Sequence, residues 1–299
     1  MNKISIVIVT YNRLELLKKC LKKALSQKLA DVIIINNAST DETENYIKLE
    51  KKNNNFFYYN TGKNLGGAGG FAVGIKKAIE LKYDYIFVMD DDTMLEDNTI
   101  EKLSGQISKI KDFSFLSCKV LWKNGTLCCM NIPKISGNIL EYHKYLEDGV
   151  IHINSSSFVG CLINAKYVLE VGLPISEFFI WCDDVEFTSR LSKKAPGFLV
   201  AGSVVIHECA RNDFASIYRE NDANRIKRYK YLYRNRFYNM RKKGLRGLVR
   251  YFLLLNKDLM YTIFFGKHKI FKICTILKGF ILGLFFYPKI EMVEKNEVK

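Results

Sequence analysis

The chain has few residues of the kinds that mark specialised sequence classes. Only 4 of its 299 residues are proline and 19 are glycine, which excludes collagen-like and Pro/Gly-rich low-complexity chains. None of the 8 cysteines belongs to a C-x-x-C pair, so zinc-ribbon and thioredoxin-type sites have no support. The N-terminus, MNKISIVIVTYN, has too short an apolar run for a secretory signal. These absences predict a cytosolic protein whose cysteines act as small core side chains.

Long uninterrupted apolar runs are also missing. Residues 248–266 and 270–287 are strongly apolar, but Lys257 interrupts the first stretch and Lys272 the second. Neither therefore offers the roughly 18 clean apolar residues of a membrane-spanning helix. An interfacial helix is the better prediction for both stretches.

What the chain does contain is enough apolar material for a core and an uneven positive charge. Hydrophobic residues make up 48% of the sequence, and 46 Lys and Arg stand against 31 Asp and Glu, a net charge of +15. Residues 208–299 hold 21 basic and 8 acidic residues, a net of +13, which leaves only +2 for the first 207. Such an asymmetry points to a membrane surface or a nucleic acid as partner of the C-terminal third.

The first hundred residues alternate between short apolar runs and helical spacing. The pattern predicts strands at residues 4–9, 32–35, 56–59 and 85–89, and helices at 14–25 and 71–81. This order is typical of βαβ units, so we expect an α/β fold with a mostly parallel central sheet flanked by helices. Further on, we expect strands at 115–122, 128–132, 155–164 and 200–207, and a helix at 183–191.

Three consecutive carboxylates follow the fourth predicted strand. Asp90, Asp91 and Asp92 come directly after YIFVM, at the end of the strand where ligands of parallel sheets bind. Asp90 and Asp92 are two apart on an extended chain, so they face the same way and could share a divalent cation. Oxygen ligands favour Mg²⁺ or Mn²⁺. The alternative is a solvated acidic turn that caps the next helix.

Two more segments, NLGGAGGF and WCDDVEF, carry residue types that suit chemistry. The four glycines after Asn64 let the backbone approach an anion at the start of a helix, although a flexible turn would use them too. Asp183 and Asp184 stand beside Trp181 near a predicted helix start, which suits a general base, although an N-cap is the alternative. His207 ends a predicted strand and is one of 4 histidines; a structural role is the alternative to a ligand role.

Taken in order, these segments resemble a known family. VTYNR, NASTD, NLGGAGGF, MDDDT, WCDDVEF and a late histidine look like an inverting family 2 glycosyltransferase with the GT-A nucleotide-sugar-binding fold. NLGGAGGF and WCDDVEF bring the chain closest to the galactofuranosyltransferase-like and rhamnosyltransferase-like branch. The resemblance covers residues 3–210, and it implies a catalytic domain at residues 1–210 followed by a basic, apolar helical region at 211–299.

The resemblance also implies a role for each matching residue. Asp184, or else Asp183, matches the catalytic base, and Trp181 the aromatic that lines the acceptor pocket. Asp90, Asp92 and His207 match the site of Mn²⁺ or Mg²⁺. The positions matching nucleotide-sugar contacts are Thr10, Tyr11, Arg13, Asn37, Asp41, Asn64, Gly66, Gly67 and Asp91.

The predicted function follows from these roles. We expect transfer of a sugar, with galactofuranose or rhamnose favoured, from a UDP- or dTDP-sugar to a glycan or lipid-linked acceptor during bacterial-type surface polysaccharide synthesis. The basic tail then predicts peripheral attachment at the inner face of the cell membrane through anionic lipids. A solvated helix face and a homo-oligomer contact are the alternatives. No recognition module accompanies the tail, so we expect no nucleic-acid partner.

Two other functions remain open from the sequence. A nucleotidyltransferase also combines a nucleotide with acidic metal ligands, but it would carry a basic Gly-rich loop after the first strand, where this chain reads TYNR. A non-catalytic membrane- or nucleic-acid-binding protein would have no need of Asp90, Asp92, Asp184 and His207.

Overall fold

The computed structural model describes residues 2–137 and 139–293 of the chain. Their contacts separate into two units. The first unit comprises the residues up to Ser176, the stretch Asp184–Asp213 and the segment from Ile290. The second unit comprises Glu177–Asp183 and Phe214–Lys289. The short stretch before Asp184 therefore belongs with the C-terminal helices, although it is distant from them in the sequence.

The first unit contains all ten strands of the described chain. They are β1 (Ile4–Thr10), β2 (Ala30–Asn36), β3 (Phe57–Asn60), β4 (Tyr85–Asp90), β5 (Thr93–Leu95), β6 (Phe115–Trp122), β7 (Lys134–Ile135), β8 (Val150–Ser155), β9 (Cys161–Asn164) and β10 (Gly197–His207).

Seven helices accompany these strands along the chain, and three longer ones follow. The seven are α1 (Leu14–Leu25), α2 (Thr43–Asn53), α3 (Gly66–Glu80), α4 (Thr99–Ile107), α5 (Ile139–Tyr142), α6 (Ala165–Val171) and α7 (Asp183–Leu191). The three in the second unit are α8 (Ala223–Arg241), α9 (Gly244–Phe265) and α10 (Lys269–Leu284).

The strands form one sheet in the order β3-β2-β1-β4-β9-β6-β10-β8-β7, and β5 pairs separately with β10. Strands β3, β2, β1 and β4 are mutually parallel, as are β6 and β10. Strand β9 runs antiparallel between β4 and β6, and β8 runs antiparallel to β10. The predicted α/β fold with a parallel core is therefore confirmed, with antiparallel strands joining its two parallel parts.

Both faces of the parallel part are covered, which explains the continuous apolar runs of β1 and β2. On one face Ile6 and Ile8 belong to the same core cluster as Leu17 of α1. On the other face Val7 shares a core cluster with Ile75 of α3. A strand that is buried on both sides loses the polar alternation of a half-exposed strand.

Two predicted strands are wrong. Residues 128–132 form a short 3₁₀ turn at Cys129–Asn131 instead of a strand. Residues 155–164 do not form one strand, because β8 ends at Ser155 and β9 begins at Cys161. Gly160 lies in this break and has a φ of +78°. Residues that carry a side chain rarely adopt this backbone conformation.

Helix α3 begins five residues earlier than its predicted start at Phe71. The first turns of α3 consist of the glycine-rich segment itself. Glycine is needed there because the helix packs closely on β1. A Cβ on Gly70 would lie 2.5 Å from Val9 Cγ1, and one on Gly74 would lie 2.3 Å from Val7 Cγ1. These glycines cost helix propensity, but they let the helix approach the sheet.

The second unit has a core of its own, formed by residues such as Tyr229, Tyr233, Tyr251 and Ile276. Tyr233 Oη donates a 2.9 Å hydrogen bond to Asp258 Oδ2. Asp258, a charged residue within the apolar stretch 248–266, therefore has a buried partner. In the described residues, none of the helices combines the length and the apolar character needed to cross a bilayer.

Candidate active site

The polar residues that follow β1, β2 and β4 come together because these strands are parallel neighbours. Thr10 at the end of β1 is paired with Asn36 at the end of β2. Val9 is likewise paired with Asp90 at the end of β4. Parallel strands in register present their carboxyl ends at one edge, where ligands of α/β sheets bind.

Asp91 and Asp92 form a buried network with the loop after β1. Thr10 Oγ1 donates a 2.8 Å hydrogen bond to Asp91 Oδ2. Arg13 Nη1 lies 2.7 Å from Asp92 Oδ2 and 3.3 Å from Asp91 Oδ1, so one guanidinium bridges both carboxylates. Asp91 and Asp92 are only 3% and 6% exposed, which makes such partners necessary for buried carboxylates.

His207 reaches the same cluster from the end of β10. Thr93, the first residue of β5, is paired with His207, which brings the preceding Asp92 beside the imidazole. His207 Nε2 lies 3.2 Å from Asp92 Oδ1, and Nδ1 lies 2.8 Å from Asn131 Oδ1. Asn131 Nδ2 in turn donates to Ser157 Oγ at 2.9 Å, so the imidazole is held at both ring nitrogens.

Burial and mutual repulsion change the pKa values of these groups. Burial, and then the charges of Asp92 and Asp91, raise the pKa of Asp90 to about 7. Burial also raises the pKa of Asp91 to about 6. For Asp92 burial is outweighed by His207 and Arg13, which hold its pKa below the usual value. Three adjacent carboxylates therefore keep their charge only where cations compensate them.

The pKa of His207 moves in the complementary direction. Burial disfavours its charged form, but the close contact with Asp92 outweighs burial and raises the pKa to about 12. Without another cation beside Asp92, the imidazole is thus charged and neutralises part of the acidic cluster.

The donor set fits a hard divalent cation. Asp92 Oδ1 is buried and faces His207 Nε2 at 3.2 Å, an ion-pair contact rather than a well-aligned hydrogen bond. The contact of His207 Nδ1 with Asn131 Oδ1 assigns the proton of the neutral ring to Nδ1, which leaves the lone pair on Nε2, the atom nearer Asp92. Carboxylate oxygens with one imidazole nitrogen suit Mn²⁺ or Mg²⁺.

Asn12 joins the loop after β1 to the loop after β2. It has a φ of +52°, in the left-handed region that asparagine tolerates best after glycine. Its Oδ1 accepts the backbone N–H of Thr40 at 2.7 Å, and its own N–H donates to Ser39 Oγ at 3.0 Å. Tyr11 and Asp41 are exposed on these two loops, so their side chains are accessible.

Asn37 connects β2 to the glycine-rich start of α3. Its Nδ2 donates a 2.9 Å hydrogen bond to the carbonyl of Gly66. The N–H of Gly66 donates to Asn64 Oδ1 at 2.8 Å, which closes the turn before the helix. A Cβ on Gly67 would meet nothing within 4 Å, so open space lies over this first turn of α3.

Asp184 lies in the first turn of α7 and belongs to the first unit. Its Oδ1 accepts the N–H of Val185 at 2.7 Å, and burial raises its pKa to about 6. Thr188 Oγ1 donates to the carbonyls of Asp184 and Ser156, which ties the turn to the residue that follows β8. Asp183 is buried and closes the short segment that is counted with the second unit.

Trp181 lies in a strained loop of the second unit. Phe179, Trp181 and Cys182 have φ values of 63°, 66° and 67°, a conformation that costs non-glycine residues of order 1–3 kcal/mol each. The indole ring centroid is 4.9 Å from that of Tyr229 on α8. Asn235, which is fully buried, donates from Nδ2 to the carbonyl of Trp181 at 2.9 Å and holds the loop.

The structure therefore brings some of the predicted site residues into one cluster and leaves others apart. The hydrogen-bonded or ion-paired cluster consists of Thr10, Arg13, Asp91, Asp92 and His207. Asp184 hydrogen-bonds within its own helix instead, to Val185 and Thr188. Asn12, Asn131 and Asn235 have no predicted role in the site, because their partners lie up to 76 residues away in the sequence.

Known proteins resemble this chain in sequence. Residues 5–120 match the family profile described as Glycosyl transferase family 2. Galactofuranosyltransferase GlfT1 of Mycolicibacterium smegmatis is 27% identical over 283 residues, which cover 85% of this chain and 90% of that protein. Poly-beta-1,6-N-acetyl-D-glucosamine synthase of Staphylococcus aureus is 34% identical over 95 residues, 31% of this chain and 22% of that protein.

Solved structures share the fold. The structure of Staphylococcus aureus TarS 1-349 superimposes with a TM-score of 0.56 at 13% identity, covering 93% of this chain and 71% of that one. GalNAc-T7 with UDP, GalNAc and Mn²⁺ gives a TM-score of 0.57 at 15% identity, covering 82% and 52%. The nucleotidyltransferase and the non-catalytic alternatives are not supported. The chain therefore has the GT-A fold, and its residues 5–120 match glycosyltransferase family 2.

Proposed function

We propose that the protein is an inverting transferase that moves a sugar from a UDP- or dTDP-sugar to a glycan or lipid-linked acceptor in surface polysaccharide synthesis. Galactofuranose is the favoured sugar, since the similarity to a galactofuranosyltransferase extends over most of both chains. Rhamnose is the second candidate. The observation that carries the proposal is the buried Asp92–His207 pair beside Arg13, at the edge where β1 and β4 end.

The nucleotide-sugar is held by the loops around this edge. Thr10 and Arg13 fix Asp91 and Asp92, while Tyr11 and Asp41 present accessible side chains for the nucleoside. Asn64, Asn37, Gly66 and Gly67 shape the start of α3, where helix N–H groups and open space suit an anionic diphosphate.

Asp90, Asp92 and His207 would hold Mn²⁺ or Mg²⁺. The buried Asp92 oxygen, which faces His207 Nε2 at 3.2 Å without a well-aligned hydrogen bond, supports this assignment. A divalent cation bound there supplies neutralisation of the charge that develops on the departing diphosphate. Asn131 orients the ring of His207 through Nδ1 and directs Nε2 toward Asp92.

Asp184 is the proposed base, with Asp183 as the alternative. A pKa of about 6 leaves the Asp184 carboxylate ionised at neutral pH while keeping it more basic than an exposed aspartate. It removes the proton of the acceptor hydroxyl as that oxygen attacks the anomeric carbon. Attack from the side opposite to the diphosphate inverts the configuration in one displacement, so no covalent nucleophile is needed.

Trp181 is proposed to line the acceptor site, and the second unit to contact an anionic membrane surface that carries lipid-linked acceptors. On α9, Leu245, Leu253, Phe264 and Phe265 are 63–77% exposed. Lys267 and Lys269 follow at once, and lysine beside exposed aromatic residues suits an anionic lipid interface. The proposed location is therefore peripheral, at the cytoplasmic face of the cell membrane.

A donor panel tests the enzymatic proposal. The full chain is incubated with Mn²⁺ and UDP-, dTDP- or GDP-sugars, and both nucleotide release and thermal stabilisation are measured. We expect one UDP- or dTDP-sugar to be hydrolysed and its nucleotide to stabilise the fold, and Asp92→Asn to lose both effects. Asp97→Asn is the matched control, because Asp97 is an exposed carboxylate on the same segment. Stabilisation by none of the nucleotides with Mn²⁺ contradicts the proposal.

A further inference from the structure

Two thiols lie beside His207, and one of them is next to the ring nitrogen that does not face Asp92. Cys128 Sγ lies 3.6 Å from His207 Nδ1. The ligand atoms of Cys128, His207 and Cys209 all lie within 4.8 Å of one another. Cys128 is buried and Cys209 half-buried, so the cluster is enclosed on one side and accessible on the other.

The backbone around both thiols is fixed before any ligand arrives. The carbonyl of Cys209 accepts a 2.9 Å hydrogen bond from Trp122 Nε1. On the other side, Asn212 Nδ2 donates to the carbonyl of Leu127 at 2.9 Å, and Asn212 Oδ1 accepts the N–H of Cys129 at 2.7 Å. These hydrogen bonds connect the two cysteine-bearing segments to each other.

The distances match a tetrahedral zinc site more closely than a hard-cation site. Zn–S bonds of about 2.3 Å and Zn–N bonds of about 2.0–2.1 Å place a sulfur and a nitrogen ligand roughly 3.6 Å apart. The separation of Cys128 Sγ and His207 Nδ1 has this value already. The other separations are within 4.8 Å, so tetrahedral ligation requires them to shorten by at most about 1 Å.

The far side of the imidazole also has the partner that zinc-ligating histidines use. Such a histidine donates its second ring N–H to a carboxylate. Here Nε2 lies 3.2 Å from Asp92 Oδ1. The group that competes for Nδ1 is Asn131 Oδ1 at 2.8 Å, and an ion bound to Nδ1 displaces that hydrogen bond.

We propose that Cys128, His207 and Cys209 form a binding site for a thiophilic divalent cation such as Zn²⁺, with a fourth position open to water. Binding releases the two thiol protons and the Nδ1 proton of the charged imidazole, and the ring keeps its Nε2 N–H, which points toward Asp92. The lone pair of Nε2 is then no longer available to the Mn²⁺ site. This effect on the Mn²⁺ site rests on the proposed function. It would make Zn²⁺ an inhibitor that acts by removing His207 from that site.

Binding is tested without any substrate. Full-length, reduced protein is titrated with Cd²⁺ and Zn²⁺, and the ultraviolet thiolate-to-cadmium absorption and the bound metal per chain are measured. We expect one ion per chain, and loss of the absorption band in Cys128→Ser and in Cys209→Ser. Cys129→Ser and Cys274→Ser are the matched controls, being a neighbouring and a distant thiol, and should keep the band. A band that survives in Cys128→Ser or Cys209→Ser, or no band in the unaltered chain, overturns the site.

The coupling to His207 is tested in a second experiment. Sugar-nucleotide turnover with Mn²⁺ is measured with added Zn²⁺, and we expect the rate to fall in the unaltered chain but not in Cys209→Ser. Equal inhibition of both overturns the coupling and leaves the binding site intact. Absence of turnover in the unaltered chain without Zn²⁺ counts against the proposed function, whereas the cadmium band is independent of it. Circular dichroism of each variant verifies that it is folded.

Discussion

The two units use charged and apolar side chains in opposite ways. In the first unit Asp91, Asp92 and His207 are buried and compensate one another at the edge of the sheet. In the second unit Phe264 and Phe265 are 63% and 72% exposed. The first unit thus fixes charge in the interior, as stabilisation of a charged leaving group requires, whereas the second leaves apolar surface uncovered, as interfacial binding requires.

The comparison also refines the meaning of the net charge of +13 in residues 208–299. Part of that charge is used inside the second unit. Arg234 stacks 4.0 Å from the ring centroid of Phe286, and Arg241 4.1 Å from that of Tyr287. Arg241 Nη2 also donates to the carbonyl of Phe286 at 2.8 Å. Only the remaining, exposed basic residues are available to attract anionic lipids.

The largest expected effect comes from removing a buried charge of the first unit. Asp92→Asn keeps the size of the side chain but leaves Arg13 and His207 without their shared carboxylate. We expect turnover to fall below detection. The measurement is nucleotide release with Mn²⁺, and Asp97→Asn, which alters an exposed carboxylate, should keep the normal rate. Near-normal turnover of Asp92→Asn would remove the acidic cluster from the mechanism.

Replacement of the proposed base has the next largest effect. Asp184→Asn should lower kcat by about 10²–10⁴-fold, the usual contribution of a general base. The KM for the donor should change little, since the base contacts the acceptor. The same measurement on Asp183→Asn decides between the two carboxylates. If Asp183→Asn shows the larger loss, the assignment of Asp184 is wrong.

How far the sequence could predict these sites depends on how local each signal is. Leu14–Leu25 and Phe115–Trp122 match their predicted bounds because apolar periodicity is recorded within the segment. The early start of α3 was not predictable from propensity, because Gly70 and Gly74 are required by contact with β1. Cys128 and Asn131 lie around a turn where the sequence predicts a strand, and only the fold brings them to His207 and Cys209.

The exposed surface of the second unit should control binding to membranes. Replacing both Phe264 and Phe265 by Glu removes two exposed apolar side chains, each worth about 1.5–3 kcal/mol when fully buried. We expect flotation with anionic liposomes to fall by roughly tenfold or more, while nucleotide release in solution stays unchanged. Leu49→Glu is the control, because Leu49 is 60% exposed in the first unit.

Two results would change the interpretation of that surface. Equal flotation of the double variant and the unaltered chain would contradict a membrane contact through α9. A shift of the unaltered chain to a larger species in gel filtration, abolished by the same substitutions, would assign the surface to a homo-oligomer instead.

Removing the asparagine that holds the strained loop should mainly affect stability. Asn235 Nδ2 donates to the carbonyls of Phe178, Ile180 and Trp181. Asn235→Ala leaves these buried acceptors without their donor, at a cost of about 1–3 kcal/mol. The free energy of unfolding measured in urea should fall accordingly, whereas Asn224→Ala, at an exposed position of α8, should leave it unchanged. An unchanged free energy in Asn235→Ala would mean that the loop is held by other contacts.

The smallest effect is a pH dependence that belongs to the first unit. Burial raises the pKa of Asp184 to about 6, and a base acts only when it is ionised. With saturating donor and Mn²⁺, kcat should therefore be level above that pKa and fall by about tenfold per pH unit below it. The rate falls toward low pH because protonation of the Asp184 carboxylate removes the base. In Asp184→Asn the residual rate should lose this dependence, while Asp97→Asn should retain it. A rate that declines as the pH rises through 6 would require a protonated group instead, and Asp184 would then act as something other than a base.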